Sequence, residues 1–210
     1  MSAAPGRSQA SSHRSPQGEG SPVSAAPGRS QASSHRSPQG ESTPMNPQPV
    51  SAITAQRADY ADPQHQAALV MLLDAYASDP AGGGEPLSDF AKAHLVPELA
   101  ARPQAYSVLA FDGDAPVGLV NCIEGFSTFA CRPLVNVHDV AVLASHRGRG
   151  IAELMLALAE TIACERGAVK MTLEVLSGNA PAVKLYQRIG YAGYQLDPAM
   201  GTAQFMQKWL

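Results

Sequence analysis

The stretch Ser145-His146-Arg147-Gly148-Arg149-Gly150-Ile151-Ala152 is the part of this chain best suited to gripping an anion. Two glycines alternate with two arginines and run straight into a segment whose apolar residues recur at helical spacing. The first amides of a helix have no intrahelical acceptor, their dipoles add, and glycine lets a phosphate approach the backbone closely. Arg147 and Arg149 add charge-assisted donors in the same turn. A pyrophosphate is the ligand such a turn suits; the plain alternative is a tight turn with solvated arginines.

Just upstream, Asn136-Val137-His138-Asp139-Val140 puts an imidazole and a carboxylate side by side. An unperturbed imidazole titrates near 6.5, so His138 can take a proton at neutral pH. Asp139 would need an upward shift or a relay water to do the same. Strict strand alternation puts His138 with Val140 and Asp139 on the opposite face, but a bulge would re-aim both. Glu124, on the preceding strand, is a reserve base. Cys122, Cys131 and Cys164 lack the paired C-x-x-C spacing of a structural zinc site, so no metal is expected, and no motif activates them as nucleophiles. Arg132, before Pro133, either holds a substrate carboxylate or phosphate or is a solvated loop charge.

The elements that must position these groups can be read from periodicity. Ser51 to Arg57 alternates as a short strand, and Asp62-Pro63 caps a helix with Leu69, Leu72, Leu73 and Tyr76 on one face. Three glycines between Pro80 and Pro86 make a loop, and Ser88 starts a second helix expected to be interrupted near Pro97. Tyr106 to Phe111 and Val117 to Ile123 form a hairpin around Asp112-Gly113-Asp114-Ala115, followed by a strand over Leu134 to Leu143. Ile151, Leu154, Met155, Leu158 and Ile162 mark a helix closed by Gly167. Val169 to Val175 is a strand, Asn179 caps a helix with Ala182, Leu185, Tyr186 and Ile189 on one face, and Gly190 stops it. Tyr191 to Leu196 and Gln204 to Leu210 read as a final pair of strands. The fold class is α/β in the broad sense, or α+β: a mixed sheet flanked by helices.

Gly148-Arg149-Gly150 with Glu174 at the end of the next strand also suggests a dinucleotide fingerprint. Glu153 at the third glycine position and the short remaining chain argue against it.

Val140-Ala141-Val142 followed by Arg147-x-x-Gly150-x-Ala152 resembles the acetyl-coenzyme A signature, Arg/Gln-x-x-Gly-x-Gly/Ala, of the GNAT superfamily of N-acetyltransferases. Leu173-Glu174-Val175, Asn179, Ala182 and Leu185-Tyr186 through Ile189-Gly190-Tyr191 resemble that superfamily's second core motif. The resemblance runs from about Ile53 to Leu210 and is tight from Asn136 to Tyr191. It implies a mostly antiparallel sheet whose fourth and fifth strands splay apart, with the pantetheine arm of acetyl-CoA in the gap. Val140, Ala141 and Val142 would then line the arm, and Arg147, Gly148, Arg149, Gly150, Ile151 and Ala152 would hold the pyrophosphate. An amide near Val142 would face the thioester carbonyl. Asn179 would cap its helix and bond to the donor, and Tyr186 would serve as general acid to the departing sulfur. The base falls to His138 or Asp139. The implied reaction is direct acetyl transfer, in a ternary complex, to a primary amine of a small molecule. A non-catalytic acyl-CoA-binding module is the alternative, with acetylation of a protein amine behind it.

Composition sets the frame. The chain has 210 residues, and 8 of its 17 prolines lie in the first 50. Ser2 to Glu19 is repeated exactly as Ser24 to Glu41. That segment has almost no large apolar side chain before Val50, so residues 1–49 are expected to be a disordered tail and 50–210 the folded domain. Its arginines suggest a transit peptide, but the amphipathic apolar face is missing; Met45 is a second candidate start. Apart from the tail's four arginines and two glutamates, 11 basic and 16 acidic residues remain, a net charge of −5. Such a field favours cationic substrates over nucleic acid or an anionic membrane. No stretch approaches the ~20 apolar residues of a membrane span, and the scattered cysteines suit a reducing cytoplasm. A homodimer is compatible with these residues.

Overall fold

The structure is a computed structural model, and it describes residues 52–194, 197, 199, 201 and 203–209. The tail, its repeat and Ser51 lie outside the described residues. Five strands form one sheet in the order β1-β2-β3-β4-β5. They are β1 (Ile53–Arg57), β2 (Ala105–Asp112), β3 (Ala115–Ser127), β4 (Arg132–Val142) and β5 (Met171–Leu173). The first four are antiparallel neighbours, whereas β5 joins β4 in parallel. The helices are α1 (Pro63–Ala77), α2 (Asp89–Ala100), α3 (Ile151–Glu165) and α4 (Ala180–Arg188).

Local chemistry accounts for the helix starts. Asp62 accepts the Gln64 amide at 2.7 Å, with Pro63 in the first turn, and Ser88 accepts the Ala91 amide at 3.1 Å. The expected break at Pro97 does not occur: α2 continues to Ala100 with the proline inside it. Pro97 removes one backbone donor in the last turn, close enough to the end that the helix stops a few residues later in any case.

Every residue of β2 from Ala105 to Phe111 is buried, because both faces of the sheet are covered. Alternation divides the core in two. Val108, Val120 and Val137 pack with Met155, Ile151 and Ile162 on the α3 side. Leu109, Leu119 and Ala141 pack with Leu69 and Leu72 on the α1 side. At Gly118 the sheet approaches α3 closely, since a Cβ there would lie 2.8 Å from Met155 Cε and 3.0 Å from the Ala141 carbonyl oxygen. Replacing Gly118 by valine is therefore expected to cost about 1–3 kcal/mol through overpacking, read as a lower urea midpoint with an unchanged slope.

A bulge in β4 sets up the site. Asn121 pairs with Asp139 and Cys122 with Val137, so His138 is the extra residue opposite β3. Below it, the Val135 amide bonds outward to the Lys170 carbonyl; above it, the Leu143 amide bonds inward to the Val117 carbonyl. Both are odd-numbered, so the bulge has reversed the alternation. Val140 and Val142 consequently turn their backbone groups to the β5 side, although the parallel ladder has already stopped at Val137–Leu173.

Two expectations are corrected at this edge. The strand predicted over Val169 to Val175 spans only Met171–Leu173, because the chain parts from β4 after Leu173. The final pair of strands is not formed by the described residues of Tyr191 to Leu196 and Gln204 to Leu210. The apolar residues that suggested the second of them, Phe205, Met206 and Trp209, are 77%, 85% and 88% exposed and bury no face against the sheet. Among the described residues no helix is long and apolar enough to cross a membrane.

Candidate active site

Where β4 and β5 diverge, a cleft of about 850 Å³ opens, reaching from the end of α1 past the start of α3 to α4. One wall is the free edge of β4, with His138, Val140, Ala141 and Val142; the other is Glu174, Val175 and Leu176, which leave the sheet beyond β5. Because the edge is backbone, its amides and carbonyls face the cleft whatever the side chains are.

The floor at one end is the glycine turn. Gly148 and Gly150 have φ of 77° and 78°, the left-handed region that valine or alanine would enter only with strain. Gly150 is the N-cap of α3, and no side chain caps the helix. The first amides of α3 thus have no side-chain cap, and nothing lies within 4 Å of where a Cβ on either glycine would stand. Arg147, Gly148, Gly150, Ile151 and Ala152 all line the cleft.

The arginines divide. Arg147 donates to the Val142 carbonyl at 3.0 Å and to Asp79 at 2.9 Å, tying the turn to the glycine loop after α1. That guanidinium, followed by the Ala81 amide, holds the Asp79 carboxyl below its ordinary range. Arg149 instead reaches Asp112 at 3.1 Å, alongside His146, and does not line the cleft. Glu153, in the first turn of α3, is paired with Arg188 from the end of α4, so its charge does not stand alone beside the glycine turn.

Tyr186 and Asn179 are delivered by α4. Asn179 accepts the Ala182 amide at 3.3 Å as the helix cap, and both Asn179 and Tyr186 line the cleft. The Tyr186 ring meets Tyr191 edge-on at 5.9 Å, and burial, with the neighbouring Tyr76 phenol, pushes its hydroxyl above the usual phenol range. It therefore keeps its proton throughout the neutral range.

The bulge separates the two base candidates. His138 is exposed at the cleft wall. Asp139 lies outside the lining, where its Oδ2 accepts a hydrogen bond from Asn121 Nδ2 at 3.0 Å, and its charge is felt by Tyr76. Glu124 pairs with Arg166 at 3.2 Å, away from the cleft, and Arg132 donates to the Gly167 carbonyl. Cys122 is buried, with its thiol pushed up to about 11 by burial, which makes it a poor nucleophile. Among the described residues no group of three or more His, Cys, Asp or Glu is arranged to hold a metal ion.

Tyr76 was not singled out from sequence as a site residue. It sits at the end of α1, lines the cleft, and has its phenol raised by burial and then by the Asp139 and Asp79 carboxylates. An aromatic residue ending an apolar helical face directly before a triple-glycine loop is the signal that could have marked it.

Comparison with known proteins bears on this geometry. The model of the acetyltransferase (GNAT) family matches residues 69–191. Streptothricin acetyltransferase of Streptomyces lavendulae is 38% identical over 92 residues, which is 41% of this chain and 49% of the relative. The chain thus spans about half the length of that relative. Among solved structures, an aminoglycoside acetyltransferase from an uncultured soil metagenomic sample, in complex with sisomicin, superposes with a TM-score of 0.61 at 16% identity, covering 75% of this chain and 97% of the other. Ribosomal-protein-alanine N-acetyltransferase from Brucella melitensis biovar Abortus 2308 gives 0.57 at 20% identity, covering 75% and 100%. At these identities the two structures speak for the fold alone.

Proposed function

The chain belongs to the GNAT family of acetyltransferases, and from that premise we propose that it moves the acetyl group of acetyl-CoA to a primary amine of a cationic small molecule, by direct attack. The observation that carries this reading is the open fork between β4 and β5, whose free amides lead into the uncapped start of α3. An extended thioester with a pyrophosphate at its far end matches that layout of donors.

In this reading the amides of Ile151 and Ala152, with Arg147, bind the pyrophosphate, and the open edge at Val140 and Val142 aligns the pantetheine arm. The Val142 amide meets the thioester carbonyl and stabilises the negative charge that develops there. The amine enters from the side of Tyr76 and the glycine loop, loses a proton to His138 directly or through water, and attacks the carbonyl carbon. The C–S bond then breaks, and the Tyr186 hydroxyl donates to the departing sulfur. Streptothricin and the aminoglycosides, named for two of the similar proteins, set the acceptor class to try first. The net charge of −5 from residue 51 onward, with Asp79 and Asp139 near Tyr76, favours cationic amines in the same direction.

Thiol release from acetyl-CoA across a panel of streptothricin, an aminoglycoside, a neutral amine and a peptide with a free N-terminus tests the assignment. Turnover with the cationic small molecules is the expected result; turnover with the peptide alone would overturn the acceptor class. Arg147→Ala is expected to weaken acetyl-CoA on the order of tenfold, as for one hydrogen bond to a charged group. Asp79→Asn removes the carboxylate that competes for the same guanidinium and is expected to tighten binding. Calorimetry reads both signs.

A further inference from the structure

Behind the cleft, a line of hydrogen-bonded side chains crosses the sheet. Tyr60 Oη meets Ser107 Oγ at 2.9 Å, Ser107 Oγ donates to Asn121 Oδ1 at 2.6 Å, and Asn121 Nδ2 donates to Asp139 Oδ2 at 3.0 Å. Ser107 and Asn121 are 0% and 4% exposed, in the middle of strands β2 and β3 between buried Tyr106 and Val108 and between buried Val120 and Cys122. Burying two polar side chains there costs free energy that their mutual hydrogen bonds only offset, and an apolar pair of the same shape is nearly neutral or stabilising. Stability alone does not call for them.

The line also has a direction. Ser107 has one hydroxyl proton, which goes to Asn121 Oδ1, so Tyr60 must be the donor to Ser107. Burial pushes the Tyr60 phenol up, so it retains the proton it donates. Three donors in succession therefore point toward Asp139, and the Asn121 amide cannot flip without setting its carbonyl against the carboxylate. The end point, Asp139, directly follows the bulge at His138, and its charge is felt by Tyr76, which lines the cleft.

Resting on the acetyltransferase reading above, the geometry points to Asn121 and Ser107 as positioning residues that fix the Asp139 carboxylate within electrostatic reach of Tyr76, where its charge recruits the ammonium group of the acceptor. Neither residue touches substrate. Their contribution is to fix the place of one negative charge behind the acceptor end, and their influence falls on the amine and not on acetyl-CoA.

The test is the reciprocal exchange Asn121→Asp with Asp139→Asn. The exchanged pair keeps every hydrogen bond: the new carboxylate on β3 accepts from Ser107 and from the new amide on β4. Only the charge moves, one strand further from the cleft. Cooperative unfolding at a lower midpoint, because the carboxylate now sits at a buried position, an unchanged KM for acetyl-CoA and an acceptor kcat/KM lowered about tenfold are expected. Ser107→Ala is the second variant, with acceptor KM raised about threefold and acetyl-CoA KM unchanged. An exchanged protein that folds and keeps wild-type acceptor kcat/KM overturns the inference, as does a Ser107→Ala variant with unaltered acceptor KM. If wild type turns over none of the amines, the acetyltransferase reading fails first and takes this role with it; turnover in wild type with unmoved variants removes the positioning role alone.

Discussion

Substituting valine for Gly150 is expected to weaken acetyl-CoA binding about a hundredfold while the sheet and α3 remain folded. Gly150 stands at φ 78° at the N-cap of α3, with no atom within 4 Å of a would-be Cβ, so the constraint is the backbone angle and not space. A β-branched residue held there costs about 1–3 kcal/mol, and the turn relieves that strain by returning to negative φ. Doing so swings the amides of Ile151 and Ala152 out of convergence. Each hydrogen bond to a charged phosphate contributes about 1.5–3 kcal/mol, so losing two of them amounts, at the lower figure, to roughly two decades in affinity. Gly167 supplies the control: it has φ 76° and equally open surroundings, but lies beyond the other end of α3. Gly167→Val should cost similar stability and leave acetyl-CoA affinity unchanged. Calorimetry on both variants decides the matter; a folded Gly150→Val protein with wild-type affinity would place the donor's phosphates elsewhere.

The contrast between those two glycines also explains what could be read from sequence. The glycine turn was legible because its chemistry is local: a helix start and a left-handed residue are specified within six positions. The hairpin of β2 and β3 and the helix α3 were legible for the same reason, through turn residues and periodicity. The separate placement of His138 and Asp139 was not, since it depends on one extra residue in β4 whose pairing is decided by β3, which lies outside any local window. The Ser107 and Asn121 line was hidden likewise, because residues 14 positions apart meet only through strand register. At the C-terminal end, apolar residues at strand-like spacing produced the opposite outcome: Phe205, Met206 and Trp209 look like a strand but stay exposed. Apolar patterning marks a residue as suited to a sheet, and a neighbouring strand must still accept it.

Tyr186→Phe is expected to lower kcat about a hundredfold and to leave the KM for acetyl-CoA unchanged. Removing one hydroxyl keeps the ring against Tyr191 and the α3 cluster, so a loss of activity cannot be assigned to packing. The size of the effect follows from acidity. A free phenol ionises near 10 and a thiol near 8.5, so complete proton transfer from tyrosine to a free thiolate is uphill by about 2 kcal/mol. Burial raises the Tyr186 phenol further, which deepens that gap. In the proposed mechanism the hydroxyl therefore acts as a hydrogen-bond donor to sulfur as the C–S bond stretches, with the proton moving late, and its contribution belongs at the low end of the 10²–10⁴-fold range for acid-base groups. The same upward shift carries a pH signature. Because the phenol stays protonated beyond its ordinary pKa, kcat should show no alkaline fall attributable to Tyr186 below about pH 10. An alkaline limb near pH 8 that disappears in the phenylalanine variant would mean an acidic phenol and a different partner beside it. A kcat within threefold of wild type would leave the departing sulfur to solvent.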